Sequence, residues 1–426
     1  MFQFISMIFC LALAAVQLGA QEEPALLRRA STGSYSIVER SDWSRYVNGK
    51  YTGLTHREVH GFLNQSINTD TEAFSYWGNF FVLEETLRDM RHNAKPVDAI
   101  VNVSFEIHPN GRLYLNNDTG FPSLRGFPAF PSEAVFPGTT WKAPADRAVD
   151  PLNSGKPVLV PFTAEYEYKG VEQYRGIPVH RILARYPSSY RGEFRIQGSH
   201  TVDILIQVSD GLPLMMKDTL DETFFFDDGS TLRFRGFTLT FGQHAVPLNR
   251  DQVITTIRRT LLLPEPERAA PAEKEPVLTE ASPPQPAPKP DLEIESSPDI
   301  EIASVPEGVK LLINDLQFTA DSDQLLLSER KRLDDIAAIL RQVSDRSFLV
   351  EGHTAAASES SGVQLSELRA KRIVDEMVSR GLSINRFIYK GWGSSKPIAS
   401  NTTEAGRSRN RRVEITILDL SITSAD

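Results

Sequence analysis

Two hydrophobic periodicities divide the chain. In its first part apolar residues recur at every second position. Val101, Val103, Phe105 and Ile107 alternate with polar neighbours before His108-Pro109-Asn110-Gly111 turns the chain into Arg112-Leu113-Tyr114-Leu115. Val202, Ile204, Ile206 and Val208 alternate up to Asp210-Gly211, and Asp227-Asp228-Gly229 separates Phe224-Phe225-Phe226 from Leu232-Arg233-Phe234. Alternation closed by an Asx-Gly pair predicts β-hairpins. Phe237, Leu239 and Phe241 resume the alternation after Gly236 on a shifted phase, which predicts a bulge. Short helices are expected over Glu84–Arg91 and Arg250–Leu261. Residues 21–260 therefore read as a mainly antiparallel β domain with a few helices, either a sandwich or a half-open barrel. The strands read as shorter than the roughly 9–11 residues that cross a bilayer. With the irregular, proline-rich Phe121–Pro161 stretch, this argues against a transmembrane barrel.

The last third alternates strand and helix. Val309–Ile313 predicts a strand. Ser328 is placed to cap a helix whose apolar positions are Leu333, Ile336, Ala337, Leu340 and Val343. Phe348–Thr354 predicts a second strand. Ser366 is placed to cap a second helix, with the stripe Ala370, Ile373, Val374 and Met377 and Gly381 as its stop. Phe387–Lys390 and Val413–Leu418 complete the strands. Residues 305–421 thus predict an α/β sandwich with helices on one sheet face.

Between these regions, Pro264–Pro298 holds ten prolines mixed with Ala, Glu, Lys and Ser. Such a stretch buries too little apolar surface to fold, so 261–304 is expected to be an extended linker. At the other end, residues 1–20 carry a short apolar run that predicts a secretory signal peptide cleaved near Ala20-Gln21. The alternative is an uncleaved N-terminal anchor. The one cysteine, Cys10, lies in that run, so the mature chain is expected to hold neither disulfides nor thiolate metal sites. A net charge of −9 argues against a general nucleic-acid binder.

The C-terminal third also carries Gly352-His353-Thr354, Leu365-Ser366-Glu367-Leu368-Arg369-Ala370, Gly391-Trp392-Gly393 with Lys396-Pro397, and Gly406-Arg407-Ser408-Arg409-Asn410-Arg411-Arg412-Val413-Glu414-Ile415. In this order and spacing the segments resemble the OmpA-like C-terminal domain, a module that holds bacterial envelope proteins to peptidoglycan. The resemblance implies a ligand: the zwitterionic diaminopimelate or ornithine residue of the stem peptide. It implies Thr354, Arg369, Asn410 and Arg412 as the binding residues. A planar guanidinium pairs a carboxylate at two points, which suits Arg369. The family's Asp after Gly-His-Thr is replaced by Ala355, and Glu359 is the one acid left in the following loop. The implied setting is the periplasm of a diderm bacterium, on the outer membrane or cell wall, with a further envelope protein as a partner of residues 21–260.

Other chemistry is thin. His56 and His60 have helical metal-ligand spacing, but Arg57 stands where a metalloprotease Glu would be, so no metal site is expected. No phosphate loop, nucleophile elbow or paired-carboxylate framework stands out, and the chain reads as a non-enzyme without a cofactor. The expected function is an envelope binding protein held, more weakly than usual, on peptidoglycan. The alternatives are a C-terminal domain turned to protein–protein interaction, or an N-terminal β domain that is a tethered carrier or enzyme.

Overall fold

The computed structural model describes residues 24–29, 33–67, 72–86, 95–115, 117–152, 154–261, 295–296, 300–319, 321–343, 346–355 and 359–419. The expected signal peptide and most of the expected linker lie outside these residues.

The N-terminal region is built from β1 (Tyr35–Val47), β2 (Lys50–Ile67), β3 (Phe74–Thr86), β5 (Ala99–Ile107), β6 (Leu113–Leu115), β7 (Leu124–Arg125), β8 (Thr140–Val149), β9 (Val158–Tyr174), β10 (Ile177–Arg191), β11 (Arg195–Gln207), β12 (Pro213–Phe225) and β13 (Thr231–His244). Together they form one twelve-stranded antiparallel sheet in the order β6-β5-β3-β2-β1-β13-β12-β11-β10-β9-β8-β7. It is a nearly closed barrel whose two edges, β6 and β7, do not pair.

Strand β9 shows how the pattern selects its faces. Val160, Phe162, Ala164, Tyr166 and Tyr168 point inward and are buried, while Thr163, Glu165, Glu167 and Lys169 point outward. The strands are longer than expected, up to 18 residues in β2 and 17 in β9. Length alone would therefore permit a membrane crossing. The outward charges of β9 give it a water-facing pattern rather than the apolar band of a lipid-facing strand.

The hairpin turns at 108–111, 210–211 and 227–229 fall between strands as the alternation predicts. The bulge at Gly236 does not form. Pairing runs unbroken through Trp43↔Gly236 on one side and Leu220↔Gly236 on the other. A Cβ at 236 would collide with the Asp42 carbonyl oxygen, so close strand approach, and not a register change, demands the glycine. The helix expected over Glu84–Arg91 is corrected at its start, and residues 87–91 lie outside the described residues. Glu84–Thr86 end β3, which pairs with β2 as far as Thr55↔Thr86. The pairing partner, which a local propensity does not see, wins there. His56 and His60 lie on strand β2, where they share a face with Glu58 and hydrogen-bond to it.

The C-terminal region holds β14 (Glu295–Ser296), β15 (Ile300–Val305), β16 (Gly308–Asn314), β17 (Phe348–Gly352), β18 (Phe387–Gly391) and β19 (Arg412–Leu418). Its helices are α2 (Arg330–Gln342), α3 (Glu359–Ser379) and α4 (Glu404–Asn410). The α/β sandwich is as expected. Val309, Leu311, Ile313, Val413, Ile415 and Ile417 bury one sheet face against the stripes of α2 and α3. Strand β15 pairs with β16, so Ile300–Ser304, inside the expected linker, belongs to this sheet.

Both expected caps are corrected. Ser328 lies in a single 3₁₀ turn, and α2 follows it without a side-chain cap. Ser366 sits inside α3, which begins at Glu359. Its hydroxyl instead donates to Val363 O at 2.8 Å and accepts from Gly393 N at 2.9 Å. Gly381, with φ +90°, ends α3 as expected.

The two regions are joined through the other face of the C-terminal sheet. Strand β4 (Lys95–Pro96), which follows β3 in the chain, adds parallel to the β18 edge. Phe62, Phe81 and Leu83, on the outer face of β2 and β3, pack with Val97 against Leu349, Ile388 and Leu418. Helix α1 (Arg250–Leu261) forms as predicted, yet its buried Val253 and Ile257 join the C-terminal core. Arg250 binds Asp419 through two nitrogens.

Lys390 Nζ donates to Val97 O at 2.8 Å and Asp98 O at 2.7 Å, while Val97 N donates to Tyr389 O at 2.8 Å. A charged donor makes the stronger kind of hydrogen bond. Lys390→Ala is therefore expected to speed amide exchange at Val97 at least tenfold while leaving Phe348, inside the core, unchanged. Equal exchange at Val97 in both proteins would show that the apolar contacts alone hold the joint.

Candidate functional site

The site is shaped by glycines that let α3 lie directly on the strand ends. A Cβ at Gly352 would collide with Ser366 O, and one at Gly391 with Glu367 N and Val363 O. The chain then knits itself together: Trp392 N donates to Gly352 O at 3.0 Å, Thr354 N to Gly393 O at 2.9 Å, and His353 N to Arg412 O at 3.0 Å. The Gly-His-Thr, Leu-Ser and Gly-Trp-Gly motifs are thus one assembly of loop, helix and loop.

Arg369 lies on the shoulder of α3, half-buried. Its Nε donates to Ser322 O at 3.0 Å and its guanidinium stacks 4.7 Å from the centre of the Phe318 ring. Among the described residues no carboxylate lies within ion-pair distance of it. Burial pulls its pKa below the usual arginine value, against a smaller opposing influence of Asp321 and Asp323. Asp323 is engaged by Arg372 at 3.0 Å. Asp321 is exposed, has φ +50°, and forms no ion pair among the described residues. This neighbouring acid and the aromatic platform escaped the sequence reading. Their signal was Phe318 followed at short range by Asp321-Ser322-Asp323.

Thr354 is buried and its Oγ1 has no partner among the described residues. Ala355 is buried as well, at 6 % exposure. His353 is buried, and among the described residues both ring nitrogens are unbonded, Nε2 standing 3.5 Å from Glu414 Oε1. Burial pushes the His353 imidazole down to about 3, with Arg412, Lys310 and Lys396 adding to the effect and Glu414 opposing it. It is neutral at ordinary pH.

Arg412 Nε donates to Glu414 at 2.7 Å and Nη2 to Lys396 O at 3.0 Å, while the buried Nη1 has no partner among the described residues. Lys310 completes this group, 2.5 Å from Glu414 and 3.3 Å from Glu351. Burial raises the Glu414 carboxyl, but Lys310, together with Arg412, outweighs it and holds the group at about 2. Asn410 uses its whole amide on the preceding loop. Oδ1 accepts from Ile398 N and Ala399 N, and Nδ2 donates to Ala399 O and Asn401 Oδ1. Of the remaining arginines, Arg407 and Arg411 pair with Glu404, and Arg409 approaches Glu301 at 4.0 Å. The four sequence-predicted residues therefore split. Arg369 and Thr354 keep unused hydrogen-bonding groups, Arg412 keeps one donor, and Asn410 keeps none.

Among the described residues the arrangement can bind but shows no nucleophile held by a base. Among the described residues no cluster of three metal-ligating side chains occurs, and no helix is long and apolar enough to cross a membrane.

Comparison with known proteins agrees with this geometry. The model described as "OmpA family" matches residues 317–411. Outer membrane protein A of Bordetella avium is 37% identical over 115 residues, which cover 26% of this chain and 59% of that protein. Peptidoglycan-binding protein ArfA of Mycobacterium tuberculosis is 36% identical over 103 residues, 24% of this chain and 32% of that protein. Among solved structures, an outer membrane protein from Borrelia burgdorferi B31 is 31% identical, covering 30% of this chain and 97% of that one, with a TM-score of 0.23. The matches to these two curated relatives span 32% to 59% of their length. Motifs and match coincide on one stretch, residues 317–411, which carry an OmpA-family domain.

Proposed function

We propose that this chain is a non-enzymatic protein of the bacterial cell envelope whose C-terminal domain associates non-covalently with peptidoglycan. The observation that carries the reading is Arg369: a half-buried guanidinium, oriented by Ser322 O and Phe318, with no carboxylate of its own among the described residues. A cation taken partly out of water without a partner is suited to an anionic ligand. The ligand we infer is the zwitterionic end of a stem peptide. Its carboxylate pairs with Arg369, and Thr354 Oγ1 supplies a hydrogen bond. Asp321 stands near enough to act on Arg369 and is free to meet the ammonium that Ala355 does not serve. Asn410 and Arg412 support the site by holding the 396–401 loop. The names of two relatives, outer membrane protein A and a peptidoglycan-binding protein, support the reading and the periplasmic, outer-membrane-associated location.

A second reading has one observation in its favour. The C-terminal sheet already packs on the N-terminal region through Leu349, Ile388 and Leu418, as a protein-interaction module would.

Co-sedimentation of the mature chain with purified peptidoglycan separates the two. Wild type is expected to sediment, and Arg369→Ala to lose at least tenfold in affinity, since truncating one partner of a half-buried charge pair costs about 2 kcal/mol or more. Asp321→Asn should weaken binding in the same direction. Absence of wild-type sedimentation, or sedimentation indifferent to Arg369, sinks the proposal in favour of the interaction module.

A further inference from the structure

The nearly closed β domain contains a cavity. It lies on the inner face of the sheet, beneath the segment that joins the unpaired edges, and reaches from Leu113 on β6 to Leu124 on β7. Its void is about 100 Å³ and its wall is largely apolar, with Ile37, Phe80, Phe105, Phe127 and Met216 among the lining residues. An apolar cavity of roughly this scale stays dry and accepts small apolar groups.

The polar groups of the wall are few and sorted. Tyr35, Ile37 and Glu39 are successive inward positions of β1, so Tyr35 and Glu39 stand roughly 13 Å apart at about 3.3 Å per residue. Arg29 stands at the Tyr35 end. Its guanidinium lies 5.4 Å from the Tyr35 ring centre and 5.2 Å from that of Tyr76, and Nε donates to Tyr76 Oη at 3.1 Å. Among the described residues no carboxylate pairs with it. At the other end burial pushes the Glu39 carboxyl up, opposed by the charge of Arg57. Arg57 in turn lies 5.7 Å from the Phe121 ring at the cavity wall. The Glu39 end thus has its own opposite charge, and the Arg29 end does not.

Arg29 is partly buried, and proteins rarely leave a cation drawn out of water without an anion, because the uncompensated charge is costly. Here the void beside the cation is lined by apolar side chains, so an anion alone would leave it unfilled. We propose that the β domain binds a single-chain anionic amphiphile, its apolar chain in the cavity and its carboxylate or phosphate on Arg29. This goes beyond peptidoglycan association and does not depend on it.

The test is isothermal titration of the mature, delipidated chain with dodecanoate, dodecyl phosphate and dodecanol below their aggregation limits. Saturable one-to-one binding of at least one anion, tenfold or more tighter than dodecanol, is expected. The preferred anion distinguishes a fatty-acid carboxylate from a phospholipid-type phosphate. Arg29→Gln should bring anion affinity down to the dodecanol level. Met216→Trp should remove binding of all three by filling the void, with folding checked by circular dichroism. Leu113→Trp, on the short edge strand, replaces it if that variant does not fold. No saturable binding by wild type overturns the proposal, as does dodecanol binding equal to the anions. Loss in Arg29→Gln without loss in a folded cavity-filling variant also overturns it, by placing the ligand outside the cavity.

Discussion

Glu222→Ala is expected to destabilise the β domain by about 3–5 kcal/mol, the cost of leaving buried charges uncompensated. Glu222 lies inside the sheet, where its carboxylate meets Arg147 and Ser188, with His200 Nε2 at 3.6 Å. His200 Nδ1 in turn contacts Asp218 at 2.9 Å, and its ring stacks on Tyr186 at 4.4 Å. Burial raises the Glu222 carboxyl, yet Arg147 and the bonds from His200 and Ser188 outweigh it and hold the group at about 2. Four strands, β8, β10, β11 and β12, thus share one carboxylate. Removing it strands Arg147 and His200 away from water. Urea unfolding of wild type and variant at neutral pH measures the effect. A cost below about 1 kcal/mol would mean that water replaces the carboxylate freely. Glu222→Gln, which keeps the shape and one acceptor, should fall between the two.

The C-terminal domain should lose stability on mild acidification, and His353 sets where this begins. Its folded value, about 3, lies below the ordinary histidine value of 6.5. Between these two values the unfolded chain binds a proton that the folded chain refuses, so stability falls as pH falls through that window. The loss from His353 alone is about 2 kcal/mol by pH 5 relative to pH 7, at 1.36 kcal/mol per pH unit. Glu414 adds a second loss at lower pH. Its folded value of about 2 is depressed from 4.5, so its stabilisation is full above 4.5 and disappears as pH falls toward 2. Stability of wild type and His353→Asn at pH 7 and pH 5 tests the first step. The variant should show a clearly smaller difference between the two pH values. An equal difference in both proteins would show that His353 is not the group responsible.

The chain's local order was legible in its residues. Period-two alternation ended by Asx-Gly turns marked the hairpins around 108–111, 210–211 and 227–229, because strand pleat and turn geometry are local properties. The helical stripe Ala370–Ile373–Val374–Met377 and the stop at Gly381 marked the body and end of α3 for the same reason. The motifs at 352–354, 365–370 and 391–393 identified the C-terminal domain before their contacts were known. Each contains a residue, such as Gly352, Ser366 or Gly391, that close packing requires.

Tertiary structure decided what depends on a distant partner. Ser366 looked like a cap, yet it binds Gly393, which is remote in sequence. Gly236 looked like a bulge, yet it serves the Asp42 carbonyl of a neighbouring strand. Helix α1 and strand β15, next to or within an apparent linker, were drawn into the C-terminal core, because an apolar stripe is buried wherever an apolar face is available. Which arginine lacks a carboxylate was likewise invisible. Among the described residues Arg407, Arg411 and Arg412 find acids, whereas Arg369 and Arg29 do not. Composition counts charges, but only the fold sets the distances between them, and an ion pair's energy follows distance and burial.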